Sequence, residues 1–292
     1  MSDRDIQGYG IHLPPNLSLP MFVYGALKPG MPAFESIRTY VEHQPEIDRV
    51  QASLYVRDGL PLIFLDGRDS VEGFLIHWRK DAEDVAYKRV CDFEPRSQYE
   101  WNEIKTNAGI QANVLIGRHS TKGNPQPLFS RRWSLTDDPA FDEGLKTVRA
   151  ALEEVQANNN WDTWEKFFRA QMAYLLLWSI LERLSTFCFG AGLDSHKRIT
   201  QLHSLNQMNR LISKHVQRND TVTDTRDPTK KFTLDASHPK NSFNYFYQVR
   251  CNLSHRGKAV INEVEKVTLS LAELLAITEE YLQSLDHVEN LQ

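Results

Sequence analysis

Three stretches of the sequence hold residues whose types and spacing could do chemistry. The first is Met21-Phe22-Val23-Tyr24-Gly25-Ala26-Leu27-Lys28-Pro29-Gly30. Phe22 and Val23 read as a buried strand, and Gly25 lets the backbone turn sharply and approach whatever lies above it. A strand that ends in exposed backbone N–H groups makes a cradle for an anion or a carboxylate. The second stretch is Val90-Cys91-Asp92-Phe93-Glu94-Pro95-Arg96-Ser97-Gln98-Tyr99, where a helix ends at Glu94 beside Pro95. A carboxyl at a helix end that faces a pocket has its pKa raised by burial, which suits general acid–base work. In the third, Tyr245 to Lys258, an aromatic helix runs into Arg250-x4-His255. His acts as acid or base near neutral pH, and Arg stabilises charge on phosphoryl oxygens, so the pair suits phosphodiester chemistry.

The bare Arg-x4-His spacing carries little weight, because Arg38/His43, Arg198/His203 and Arg210/His215 share it. Only Arg250/His255 follows an aromatic helix, has Asn252 inside the spacing, and leads to Arg256-Gly257-Lys258 and a long closing helix. Residues five apart on an ideal helix point about 140° apart, so Arg250 and His255 diverge unless the helix ends between them.

The elements that must position these residues change character midway. Residues 1–19 are polar and carry Gly8, Gly10, Pro14 and Pro15, and they read as a flexible leader. From 20 to about 120, apolar or alternating runs at 50–56, 60–65, 71–78 and 111–116 predict strands, separated by Asp-Gly and Asn-Ala-Gly turns. Helices are predicted near 33–42 and 82–93. The segment 118–140 opens with a Gly- and Pro-rich run and reads as a linker. Beyond it the period turns helical, first over 141–155. Trp164, Phe168, Met172, Leu175, Leu176, Ile180 and Leu184 then fall at spacings of three and four. The polar stretch 218–231 breaks the helices, 244–253 is aromatic and helical, and 264–285 forms a final amphipathic helix. The expected fold class is therefore α+β, a β-rich domain over 20–117 followed by an all-α domain over 141–292.

With 292 residues, 41% of them hydrophobic and a net charge of -4, the chain can bury a core and shows no general affinity for nucleic acid or membrane. Three widely spaced cysteines, Cys91, Cys188 and Cys251, argue against a disulfide framework and a zinc site. The polar N-terminus does not read as a signal peptide, and the uncharged apolar run 173–181 is shorter than the roughly 20 residues a bilayer span needs. The expectation is a cytoplasmic protein with no membrane partner, no cofactor and no metal.

The stretch 20–117 resembles the γ-glutamylcyclotransferase-like family, whose signature is a strand leading to Tyr-Gly-Ser/Thr-Leu, then a basic residue and Gly. Here that is Tyr24-Gly25-Ala26-Leu27-Lys28-Pro29-Gly30. Gly59-Leu60-Pro61 and Val71-Glu72-Gly73-Phe74-Leu75 are similar to the family's middle strands, and Glu94 and Tyr99 occupy the places of its catalytic acid and a following Tyr. The resemblance implies a small β-barrel whose Tyr24–Leu27 backbone holds the carboxylate of a γ-glutamyl ligand, with Tyr99 also at the substrate. It implies that Glu94 takes a proton from the α-amino group as that group attacks the γ-carbonyl, then protonates the leaving amine. The products would be 5-oxoproline and a free amine, without a metal, because positioning supplies most of the rate. The chain departs from the pattern at Ala26, where the family has a hydroxyl residue, and at Glu100-Trp101, where the family has an Arg two residues after the Tyr.

The stretch 160–285 resembles the HEPN superfamily, helical bundles with Arg-Asn-x-x-x-His or Arg-x4–6-His before the last long helix. Phe167 to Leu184 is similar to its opening helix. That resemblance implies a homodimer and a metal-independent endoribonuclease, with Arg250 and His255 lining a cleft for RNA. Three functions stand open: a γ-glutamyl(amine) cyclotransferase with an attached helical domain, an RNase whose barrel senses a ligand, and a non-catalytic interaction protein.

Overall fold

A computed structural model of the chain describes residues 10–119, 123–158, 160–190, 192–255 and 263–290; the side chains of His255 and of 286–290 fall outside the description. The class is α+β, and among the described residues none of the sheets closes into a barrel. The described chain forms two compact units, one within 1–138, 186–195 and 288–292, the other within 139–185 and 196–287.

The first unit is built around β1 (Met21–Val23), short and wholly buried. It lies mid-sheet in the order β2 (Glu46–Gln51), β5 (Ser70–Ile76), β1, β7 (Gln111–Gly117), β6 (Tyr99–Lys105). Phe22 pairs antiparallel with Leu75 and parallel with Val114. Gly73 is required here, since a Cβ would meet the Val23 carbonyl oxygen at 2.4 Å and the Phe22 ring at 2.6 Å. A second sheet runs β4 (Leu60–Phe64), β3 (Ser53–Arg57), β8 (Gln126–Pro127). Asp58 and Gly59 join β3 to β4 with φ of 53° and 73°, the left-handed pair a two-residue hairpin demands. Helix α1 (Glu83–Phe93) ends at Glu94, where Pro95 stops it. The helix expected near 33–42 is instead two 3₁₀ turns, Pro32–Ser36 and Arg38–Tyr40, and the β-branched Ile37, Thr39 and Val41 are weak helix formers.

The described part of the expected leader is tied down. Ile11 N–H donates to Cys91 O at 3.2 Å, Trp101 Nε1 donates to His12 O at 2.6 Å, and Tyr87 Oη donates to Leu19 O at 2.7 Å. The segment 118–140 packs as well: Trp133 and Leu135 are buried, and β8 pairs with β3. Burying an indole outweighs the local polar composition that marked this stretch as a linker.

The second unit contains α2 (Glu143–Ala157), α5 (Asn206–His215), α6 (Pro239–His255) and most of α3 (Thr163–Phe189), α4 (Ser195–Gln201) and α7 (Val264–Asn290). It is not all-α. The stretch 218–231 that breaks the helices leads into an antiparallel hairpin, β9 (Asp220–Asp224) and β10 (Asp227–Leu234). Thr221, Val222, Thr223, Phe232 and Thr233 are β-formers, and the hairpin buries Val222 and Leu234. Helix α3 turns Phe167, Tyr174, Leu177, Trp178, Leu181 and Leu184 into the core, while Trp164, Phe168 and Met172 are exposed. A helix apolar on most of its circumference reveals its period in sequence but not its buried face. By length and composition α3 could cross a membrane, yet over half of its apolar window is buried in the protein. Its Tyr174 hydroxyl donates to Phe246 O on α6 at 2.9 Å.

Candidate active site

The first candidate centre lies where β1 gives way to the Tyr-Gly turn. Tyr24 is buried and its hydroxyl donates to Leu115 O on β7 at 2.7 Å. Burial, and then the charge of nearby Glu94, hold the Tyr24 phenol well above its ordinary value. Lys28 N–H donates to Gly25 O at 3.1 Å, closing a turn with Ala26 and Leu27 at its centre, and Met31 N–H donates to Lys28 O at 3.1 Å to close the next. Among the described residues nothing accepts a hydrogen bond from the N–H groups of Gly25, Ala26 or Leu27. Ala26 and Leu27 are buried residues, and backbone N–H groups left without a protein acceptor are able to take an external anion or carbonyl oxygen. Gly25 permits close approach, because a Cβ would come 2.8 Å from Pro61 Cγ.

Glu94 caps α1 with its own N–H on Val90 O at 3.0 Å. Gln98 N–H turns back to Pro95 O at 2.9 Å, and Gly10 bridges Pro95, so the backbone on both sides is fixed. Part of the residue remains exposed, yet burial alone pushes the carboxyl up to about 8. No described residue donates a hydrogen bond to it. A carboxyl in that state carries a proton near neutral pH and releases it readily. Tyr99 is buried and donates its hydroxyl to Pro61 O at 2.8 Å, so Tyr99 and Gly25 meet the same proline. The structure thus gathers Tyr24, Gly25, Glu94, Tyr99 and Pro61 around one place.

Lys28, not among the predicted site residues, supports the turn from below. This lysine is only 1% exposed, and its Nζ donates to Trp133 O at 2.6 Å beneath the Trp133 ring. Its position directly after Leu27 was the available signal; the partner, 105 residues away, was not. A separate groove of about 560 Å³ in the same unit is lined by Phe34, Arg38, His43, Phe74 and Arg79, and by none of the predicted site residues.

The second candidate centre is on α6. Arg250 Nη2 stands 3.2 Å from Glu182 Oε1 on α3, and its guanidinium lies 5.9 Å from the centre of the Tyr247 ring. His196 meets the same ring edge-on, with centroids 5.2 Å apart. Burial, then the neighbouring Cys251, pushes the Tyr247 phenol up to about 12. Asn252 is engaged structurally: its Nδ2 donates to Thr223 O at 2.9 Å, tying α6 to the hairpin. His255 ends α6, and its side chain lies outside the described residues. Among the described residues no three His, Cys, Asp or Glu side chains gather as metal ligands.

No family model matches the chain, and no curated protein matches it. A solved structure, the crystal structure of the uncharacterized protein PH0828 from Pyrococcus horikoshii, is similar at a TM-score of 0.32 and 20% identity, over 39% of this chain and 89% of that one. A similarity that slight does not define a shared fold.

Proposed function

We propose that the first unit is a γ-glutamylcyclotransferase-like enzyme that releases 5-oxoproline from a γ-glutamyl amine, with Glu94 as general acid–base. The observation that carries this reading is the desolvated Glu94 carboxyl, charge-coupled to Tyr24 beside a turn whose N–H groups have no described acceptor. The two sheets are read as the strands of a cyclotransferase-like barrel. The substrate's carboxylate would take the N–H groups of Gly25, Ala26 and Leu27. Ionised Glu94 accepts a proton from the α-amino group as its nitrogen bonds to the γ-carbonyl carbon. The bond from that carbon to the leaving amine then breaks, and Glu94 returns the proton to the departing nitrogen. Holding both reacting groups in one pocket supplies the rate through orientation. Ala26 puts a methyl where the resembled family has a hydroxyl, so the turn offers only its backbone there. Glu94→Gln removes the proton carrier at nearly constant shape and is expected to abolish 5-oxoproline release from a panel of γ-glutamyl amines. Wild-type inactivity across that panel overturns the reading.

A second reading is favoured by the Arg250 cluster: α6 with α3 forms a HEPN-like bundle that dimerises and cuts RNA without metal, using Arg250 and His255. Guanidinium, phenol and imidazole meet at Tyr247, a sound arrangement for gripping a phosphate beside a stacked base. Purified protein should then leave cyclic phosphate ends on RNA in the presence of a chelator; unchanged cleavage by His255→Ala removes this assignment.

A further inference from the structure

Residues 186–195 belong to the first unit, although they follow the long helix of the second. They touch both halves of the Glu94 centre. On one side, Phe187 stacks on Trp133 with centroids 5.6 Å apart and 28° between the planes. Trp133 is the residue whose carbonyl and ring hold the buried Lys28 ammonium, and Lys28 closes the turn that begins at Gly25. On the other side, Gly190 sits against the end of α1. Its φ is 75°, and a Cβ there would lie 2.9 Å from Phe93 Cδ2 and 3.0 Å from both Phe93 Cα and its carbonyl oxygen. Gly192 is equally close: a Cβ would lie 3.0 Å from the Asp92 carbonyl oxygen. Phe93 is the last residue of α1 and Glu94 is its cap.

We propose that residues 186–190 together with Gly192 form a brace that holds the Glu94 carboxyl against the Tyr24–Leu27 turn, with Phe187 and Gly190 as positioning residues for the acid–base step. The proposal rests on the cyclotransferase reading of Glu94. Its physical content is simple. No described hydrogen bond fixes the Glu94 carboxyl, so its place is set by the backbone of residues 92–94. That backbone is held from one side by Gly10, whose Cβ would meet Cys91 O at 2.5 Å, and from the other by Gly190 and Gly192. Loss of either support lets the α1 end shift, and a displacement near 1 Å costs about 100-fold when two groups must react in register. The turn has its own support in the Lys28, Trp133 and Phe187 stack, so one segment sets the distance between cradle and carboxyl.

The test uses the full chain with three substitutions, Gly190→Ala, Gly192→Ala and Phe187→Leu, each checked for folding by circular dichroism and melting. Two readouts are taken: kcat and KM for 5-oxoproline release, and the titration midpoint of Glu94 followed by carbon NMR, assigned by its loss in Glu94→Gln. The titratable neighbours Tyr24, Cys91 and Asp92 give separate resonances. Gly190→Ala is expected to lower kcat at least tenfold with KM within about twofold, and to move the midpoint down from about 8 by a unit or more as water reaches the carboxyl. Gly192→Ala and Phe187→Leu should act in the same direction with smaller size, and they carry the test if Gly190→Ala does not fold. Folded variants with an unmoved midpoint and unmoved kcat overturn the brace. A midpoint that moves in a protein without cyclotransferase activity upholds the brace and overturns the functional reading instead.

Discussion

The Glu94 carboxyl receives no hydrogen bond from any described residue, whereas the Arg250 guanidinium already faces a carboxylate and an aromatic ring. The two centres illustrate opposite uses of charge. Desolvation without compensation leaves an acid that titrates close to physiological pH, so it can both take and give a proton. Glu182 already stands as a counter-charge beside Arg250, so on the ribonuclease reading an incoming phosphate would have to displace a carboxylate. On the proposed readings, the first arrangement serves proton transfer and the second serves exchange of anions.

The largest expected effect separates the centres outright. Glu94→Gln should cut kcat for 5-oxoproline release by about 1,000-fold and leave RNA cleavage at the wild-type rate. Arg250→Ala should do the converse. Loss of both activities in either variant would collapse the two centres into one.

Acidity gives the next test. With Glu94 acting as base in the free enzyme, kcat/KM should rise about tenfold per pH unit and level off near 8. Stability should run the other way. The folded-state pKa of this acid is raised, so the folded protein holds a proton that the unfolded chain releases above its ordinary carboxyl pKa of 4.5. The contribution is therefore complete below 4.5 and is lost as pH climbs to about 8, by an amount on the order of 2–4 kcal/mol given the partial exposure of the residue. Denaturant melts of wild type and Glu94→Gln across that window should diverge; parallel curves would show that the carboxyl is not desolvated.

Releasing Arg250 sharpens the other side. Glu182→Gln should strengthen RNA binding several-fold at low salt and steepen its salt dependence, as a freed cation reaches phosphate. The same change should alter stability by less than about 1 kcal/mol, because the pair is partly exposed. Smallest of all, Tyr99→Phe should cost about 1 kcal/mol, since Pro61 O loses its donor. A much larger loss of activity than of stability in Tyr99→Phe would mean that the hydroxyl also serves the substrate.

Much of the first centre was legible because its signals are local. A strand ending in Tyr-Gly and a helix stopped by Glu94-Pro95 each announce themselves within ten residues, and both lie where those signals put them. What escaped was set by partners distant in sequence. Trp133 lies in a stretch whose polar neighbours suggest a linker, and only the buried Lys28 reveals its role. Residues 10–19 read as loose because their anchors, Cys91, Tyr87 and Trp101, come some 70 to 90 positions later. The β9–β10 hairpin was hidden by its charged residues, Asp220, Asp224, Asp227, Lys230 and Lys231, which leave Val222 and Leu234 as its buried apolar side chains. Lys28 shows the general difficulty: composition places a lysine at the surface, and the Trp133 carbonyl and ring help hold it inside.

Helix α3 ends inside a unit other than the one that holds most of it. The two halves of this protein are therefore not interchangeable modules in the manner of beads on a string. Recombination at the polar stretch after β7 would hand on a domain that ends before Trp133, Phe187 and Gly190, with Lys28 stripped of its acceptor and the end of α1 uncovered. Descendants of such an exchange would keep every residue of the Tyr-Gly turn and Glu94 and still inherit an incomplete first unit. The pairing of these two units is thus expected to persist through descent, because the chain path itself penalises their separation.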